Sequence, residues 1–366
     1  MEGQGKIANA PMRLLITGIC GFVGSTLAKA IAADGCAAEI VGIDNLSRAG
    51  SEVNRRPLQE LGIRVVPGDI RNPSDMENLS AADWVIDAAA SPSVLAGVDG
   101  RTSSRQLVEH NLGGTINLLE YCKRHQAGLV LLSTSRVYSI DPLVRLGIRV
   151  VDDAFQLNPD QRLPAGISAS GVCEEFPTAP PVSLYGSTKV ASEHLALEYG
   201  ESFQFPVWVN RCGVMAGAGQ FGHPAQGIFA YWIHSFFERS PLKYIGFGAT
   251  GHQTRDCLHP RDLVPLLKSQ WAEPTRTQKP RTANVSGGVA SAMSLKQLST
   301  WCESRVGTGR VDASDEVRPF DVPWLVLNPT LAKETWGWSP MTHTTQILEE
   351  IAAHAVANPT WLSLSR

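Results

Sequence analysis

The chain has 366 residues, 43% hydrophobic and 18% charged, enough to bury a large core in more than one minimal domain and too apolar for a disordered polymer. A formal net charge of −3 gives no electrostatic reason to expect nucleic acid or an anionic membrane as a partner. No run approaches the roughly 20 apolar residues of a membrane span.

Seven cysteines, Cys20, Cys36, Cys122, Cys173, Cys212, Cys257 and Cys302, are scattered without a CxxC pair. That spacing predicts reduced, mostly structural thiols and no metal centre. The first eleven residues, through Pro11, carry too short an apolar stretch for a signal peptide, so a cytoplasmic home is expected.

From Arg13 onward, short apolar runs alternate with amphipathic stretches. Arg13–Thr17, Glu39–Ile43, Arg64–Pro67, Trp84–Ala88, Leu129–Leu132 and Val207–Asn210 read as strands apolar on both faces, as a covered parallel sheet requires. Phe22–Gly35, Arg105–Gln126 and Gly186–Tyr199 read as helices. The order predicts an α/β fold, a doubly wound parallel (Rossmann) sheet with a smaller C-terminal substrate-binding lobe. The segment from Ser139 to Ser183, rich in Pro, Gly, Asp and Ser, is expected to hold no regular element. Beyond Cys212 the alternation breaks down. The boundary is placed there, with residues 12–211 as the dinucleotide-binding domain and 212–366 mainly as the substrate lobe, some segments returning to the sheet.

The first strand runs into Thr17-Gly18-Ile19-Cys20-Gly21-Phe22-Val23-Gly24 and then a helix. Gly18 suits a tight turn, Gly21 a close approach of backbone N–H groups to a pyrophosphate, and Gly24 close helix–strand packing. Cys20, Phe22 and Val23 complete this loop, whose helix N-terminus would supply partial positive charge. Asp44 ends the second strand 20 residues past Gly24. A carboxylate there accepts hydrogen bonds from both adenosine ribose hydroxyls and repels a 2′-phosphate, which selects NAD over NADP. Asn45, Ser47 and Arg48 follow on the cofactor side, and a guanidinium at Arg48 would instead tolerate a 2′-phosphate. Asp69 and Ile70, after the third strand, are placed against the adenine edge. Ala88, Ala89 and Ala90, after the fourth, are small enough to let a cofactor lie on the backbone.

Tyr185-Gly186-Ser187-Thr188-Lys189 opens a helix, and residues i and i+4 share a face, so the Tyr185 phenol and Lys189 ammonium can enter one cleft. A phenol titrates near pH 10 unperturbed, and a nearby cation stabilises its anion, which makes Tyr185 a candidate general base. Ser133 and Thr134 end an apolar strand at the carboxyl edge of the sheet, where open α/β sheets bind ligands. There Thr134 can hold a reacting substrate oxygen, or simply cap a turn.

The ordered set TGICGFVG, VGIDNLSR, GDIRN, HNLGGTINLLE, LSTSRVY, YGSTK, NRCGVMAG and RDCLHPRD, with GWSP near the C-terminus, resembles the extended short-chain dehydrogenase/reductase (NAD-dependent epimerase/dehydratase) family over nearly the whole chain. VGIDNLSRAG, the long segment between Tyr138 and Tyr185, GQFGHPAQGIFAYWIHSFFE and GHQTRDCLHPRDL are similar to its CDP-paratose 2-epimerase (CDP-tyvelose epimerase) group. The resemblance implies an NAD-dependent nucleotide-sugar epimerase, with a CDP-sugar favoured as substrate. The alternatives are a UDP-sugar 4-epimerase or a nucleotide-sugar dehydrogenase on the same scaffold, and a catalytically silent NAD-binding regulator. It also implies a homo-oligomer built from a dimer. Thr134, Tyr185 and Lys189 become the catalytic trio, with Asn111 of HNLGGT as a supporting residue at the cofactor. Ser133, Tyr185 and Lys189 also touch the cofactor, and Thr134, Gln226, Arg255 and Arg318 the substrate, Arg255 at its diphosphate. Ser135-Arg136 stand where the family's 4,6-dehydratases carry an Asp-Glu pair, so dehydration lacks its acid and base. Asp87, Ser139, Ala216 and Asn328 also depart from the family pattern.

Overall fold

The structure, a computed structural model, describes residues 12–98, 100, 103–273 and 275–365. The stretch through Pro11 lies outside them. Strands β1 (Arg13–Thr17), β2 (Glu39–Asp44), β3 (Arg64–Pro67), β4 (Trp84–Asp87), β5 (Gly128–Thr134), β6 (Val207–Cys212) and β7 (Thr282–Val285) form one seven-stranded sheet. Its order is β7-β6-β5-β4-β1-β2-β3 and every pairing is parallel. The order reverses beside β1 and β4, which opens a crevice at the carboxyl ends of the strands.

The apolar runs form strands because both sheet faces are covered. Leu14 and Ile16 of β1 enter one core with Leu27, Ile31, Leu263 and Leu267, while Leu15 enters the other with Leu118, Leu119 and Ala196. Leu129, Val130 and Leu131 of β5 are fully buried, each contributing roughly 1.5–3 kcal/mol relative to exposure. Helices α1 (Phe22–Asp34), α2 (Gly114–His125), α3 (Ser183–Phe203) and α4 (Leu263–Trp271) supply those faces. Asn210 of β6 and Gln270 of α4 exchange two buried amide hydrogen bonds of 3.0 and 2.9 Å, which fixes α4 on the sheet. A separate core, with Trp232, Phe236, Leu298 and Ile351, lies in the part of the chain beyond the sixth strand.

Two expectations differ from the structure. The helix expected over Arg105–Gln126 is interrupted by one π-type turn at Glu109–Gly113, between Ser104–Val108 and α2. The segment from Ser139 to Ser183 is not irregular throughout: it contains the short helix Ile140–Val144 and two small antiparallel hairpins. In the first, Asp152 and Asp153 both take positive φ, the turn that matches the twist of two paired strands. The Asn-Gly pair that usually marks such a turn is missing, so composition hid it.

Among the described residues all seven cysteines are free, no His/Cys/Asp/Glu group could hold a metal ion, and no helix is long and apolar enough to cross a membrane.

Candidate active site

A cleft of about 400 Å³ runs along the carboxyl ends of the strands, from the glycine loop to Arg318. At one end the glycines act through what they lack. A Cβ on Gly18, whose φ is +62°, would come within 2.9 Å of the Ala89 Cα. One on Gly24 would lie 2.3 Å from the Gly18 carbonyl oxygen. The loop therefore folds flat onto β4, and α1 starts directly from it. Gly21 caps α1 without a side-chain hydrogen bond, and no acidic residue occupies the first turn. The N–H ends of Phe22, Val23 and Gly24 thus face the cleft they line, a cradle that fits a pyrophosphate.

Asp44 is anchored beneath this cradle. One carboxylate oxygen accepts from Cys20 N–H and the other from Leu46 N–H, both at 2.8 Å. Burial raises its pKa, and those backbone bonds oppose the rise. Each oxygen keeps a lone pair for a ribose hydroxyl. Cys20 itself is buried and does not line the cleft; its contribution is that N–H, and burial pushes its thiol up to about 12. Asn45 donates to Asp69 at 3.0 Å and Arg71 closes on the same carboxylate at 2.6 Å. Burial alone would raise the Asp69 pKa, but these bonds hold it far below the usual carboxylate range. Ile70, Ser47 and Ala88–Ala90 line the wall between. Thr17 donates to Asp87 at 2.6 Å and accepts from Ala89 N–H at 3.1 Å, so the unusual Asp87 fixes the alanine turn.

At the other end Thr134 and Tyr185 meet. Thr134 is the last residue of β5, pairs in register with Cys212 of β6, and caps the following turn by accepting from Arg136 N–H at 3.2 Å. Its side chain lies beside the Tyr185 hydroxyl, close enough to favour the phenolate. Burial pushes that phenol up to about 12, against the Thr134 hydroxyl and the Arg136 charge, while the Cys212 thiol adds to the rise. Lys189, one turn along α3, is buried and lines the same cleft.

Asn111 and Arg255 lie elsewhere, and Arg48 lines the cleft with its guanidinium already committed. Asn111 is behind the cleft: its side chain bonds both backbone groups of Ser91 and donates to Thr188 at 3.1 Å, and the π turn leaves its carbonyl to Thr115 at 2.7 Å. It positions α3. Arg255 does not line the cleft either. It pairs with Asp321 at 2.8 Å and donates to the Thr254 and Val322 carbonyls, while Arg318 does reach the cleft. Arg48 is committed to Gln226 at 2.9 Å and the Phe221 carbonyl at 2.7 Å, so it ties the loop after β2 to the Phe221–Gln226 loop.

Sequence reasoning missed Arg136, which lines the cleft beside Thr134, and His110, which lines it near Asp69. It also missed a buried network behind Ser133. Ser133 donates to Glu193, Glu193 pairs with Arg211 at 2.7 Å, and Arg211 donates to the Tyr138 hydroxyl, which donates to Asn284. The available signal was the single charge, Arg211, in the buried strand β6.

The family model described as "NAD dependent epimerase/dehydratase family" matches residues 14–286. The chain belongs to that family. As a member of the epimerase/dehydratase family it is an NAD-dependent enzyme. It is 26% identical to a CDP-paratose 2-epimerase of Salmonella typhi, over 90% of this chain and 95% of that protein. It is equally 26% identical to the UDP-glucuronate 4-epimerase 4 of Arabidopsis thaliana, over 91% of this chain and 73% of that one. In fold it is similar to the UDP-glucose 4-epimerase of Bifidobacterium longum solved with NAD⁺ and UDP. That likeness has a TM-score of 0.75 and 18% identity, covering 95% of this chain and 99% of that one.

Proposed function

We propose that this enzyme inverts a ring carbon of a nucleoside-diphosphate sugar by transient oxidation and re-reduction. The observation that carries this reading is that Thr134, Tyr185 and Lys189 meet at the carboxyl edge of the sheet, in the same cleft as the glycine cradle. Thr134 holds the reacting hydroxyl oxygen. Tyr185, ionised, takes the hydroxyl proton and returns it to the same oxygen when the ring carbon is reduced again. NAD, when bound over Gly18–Gly24 and Asp44, supplies the site that accepts and gives back hydride. The Lys189 ammonium makes no protein hydrogen bond among the described residues, which leaves it for the nicotinamide ribose and for the phenolate. Arg318 faces the sugar nucleotide's phosphates.

Epimerisation is favoured over elimination by the carboxylates. Among the described residues lining the cleft, the acids are Asp44 and Asp69, both at the cradle end. Ser135 and Arg136 follow Thr134, so no acid–base pair stands at the reacting carbon for loss of water.

In finer detail we read the substrate as a CDP-sugar of the paratose type, epimerised at C2. Its support is the relative matched over nearly the full length of both chains. A UDP-sugar 4-epimerase is the second reading, supported by the Arabidopsis relative at the same identity. Incubation with CDP-, UDP-, GDP- and dTDP-sugars, followed by NMR, separates them. Epimer formation from a CDP-sugar at C2, lost in Tyr185→Phe, supports the first; inversion at C4 of a UDP-sugar supports the second; no epimer from any of them overturns both.

A further inference from the structure

Among the described residues Arg136 has no partner of opposite charge, and its side chain makes one protein hydrogen bond, 3.3 Å to the Phe320 carbonyl. Asp321, the neighbouring acid, is already paired with Arg255 at 2.8 Å. The residue is half-buried at the cleft wall, and enough of its head is desolvated to bring its pKa down to about 10, helped by Arg255 and Arg318 and opposed by Asp321 and Tyr185. A cation kept out of water without a counter-charge is costly unless an anion joins it in the working state.

Its backbone is held where that anion would form. Arg136 N–H donates to Thr134 Oγ1, and Thr134 and Tyr185 line the same stretch of the cleft. On its other side, the Arg136 carbonyl lies so close to Gly186 that a Cβ there would sit 2.4 Å from it. The turn carrying Arg136 is thus pressed against the first turn of α3, next to Tyr185. Apart from Lys189, the other groups around this phenol offer little charge. Val94, Ala96 and Leu107 pack on its ring. From β6 comes the Cys212 thiol, which burial pushes up to about 12 and so keeps neutral, and the Lys189 charge bears on that thiol.

We propose that Arg136 is a positioning residue for the Tyr185 oxygen, a second cation beside Lys189 that stabilises the phenolate. This rests on the reading of Tyr185 as the proton acceptor. It turns the loss of the dehydratase acid at this position into a gain: a cation where elimination would need a carboxylate. The phenolate then forms without waiting for substrate charge, and Arg136 acts through Tyr185 without having to touch the sugar.

The test needs no substrate. Tyr185 is titrated in the NAD-bound protein by the phenolate absorbance difference between the wild type and Tyr185→Phe, and again between Arg136→Met with and without Tyr185→Phe. Arg136→Met should move the Tyr185 midpoint up by about one pH unit, a tenfold loss of ionisation. Arg136→Lys, which keeps the charge, should stay close to wild type and serves if the Met variant does not fold. Once an epimerised sugar is known, the acid limb of kcat should move by the same amount. A Tyr185 midpoint equal to or below wild type in Arg136→Met overturns the inference, as does a rise in KM alone with the limb unmoved. Tyr185→Phe turning over at the full wild-type rate would instead sink the reading of Tyr185 itself.

Discussion

Arg48 and Gln226, far apart in sequence, are joined by a 2.9 Å hydrogen bond across the mouth of the cleft. The second Arg48 donor goes to the Phe221 carbonyl, so this guanidinium is spent on holding two loops together and is not free for a 2′-phosphate. Discrimination between cofactors then rests on Asp44. Asp44→Ala should weaken NAD by on the order of 1.5–3 kcal/mol and narrow the preference against NADP, as measured by calorimetry. Equal affinity of the wild type for NAD and NADP would show that Arg48 releases Gln226 and takes the phosphate.

Glu193 is the keystone of the network behind Ser133. It is almost fully buried and its carboxylate takes three bonds from Arg211. Glu193→Ala would strand the Arg211 charge, an effect of about 3–5 kcal/mol in urea unfolding. Replacing both partners, Glu193→Met with Arg211→Met, should recover much of that loss. An equally unstable double variant would mean that packing, and not the stranded charge, sets the cost.

The His234 and His354 rings meet at 3.3 Å, and one must accept where the other donates. Burial, with His354 adding to it, brings His234 down to about 4, and burial lowers His354 too. Burial and the Arg261 charge bring His259 to about 4 against the pull of Glu350 and Asp262. Each folded pKa lies below the unfolded value near 6.5, so the unfolded chain binds protons first. The stability is present above pH 6.5 and is lost as pH falls from there towards about 4. His234 alone accounts for roughly 3 kcal/mol of that slope. Melting temperatures of the wild type should fall steeply over this window, and those of His234→Leu less steeply. Parallel curves for the two proteins would remove the pair from the explanation.

Leu184 and Phe203 on α3, and Ile116 on α2, are large apolar side chains left exposed. A two-fold dimer through these helices would cover them. Light scattering at micromolar concentration should give twice the chain mass, and Ile116→Glu with Leu184→Glu should shift it towards one. A wild-type monomer rules the dimer out.

The parallel sheet was legible because covered strands write their burial as continuous apolar runs; β1 and β3 begin and end where the pattern placed them. β7 was not, since Thr282–Val285 carries a Thr and an Asn in place of an apolar run and joins the sheet only through its pairing with β6. At the site, the glycine loop, Asp44, Thr134 and Tyr185 were readable because each sits at a strand end or helix start that spacing fixes. Arg255 was misplaced because nothing in QTRD says that Asp321, on a distant loop, takes up its guanidinium. Arg136 stood two residues after Thr134 in the sequence but was noticed only for the acid it replaces. Asn111 lies behind the cleft because of a π turn, which leaves no mark on helical periodicity.

The central claim is that one hydride leaves and returns to the same carbon while Tyr185 handles the proton. It is tested by a CDP-sugar substrate carrying deuterium at the ring carbon that is inverted, turned over in ordinary water and followed by NMR. The account predicts epimer with the deuterium still on that carbon, because hydride held within the site does not exchange with solvent. Epimer that has lost its deuterium to water would contradict it and point to a carbanion in place of a transient ketone.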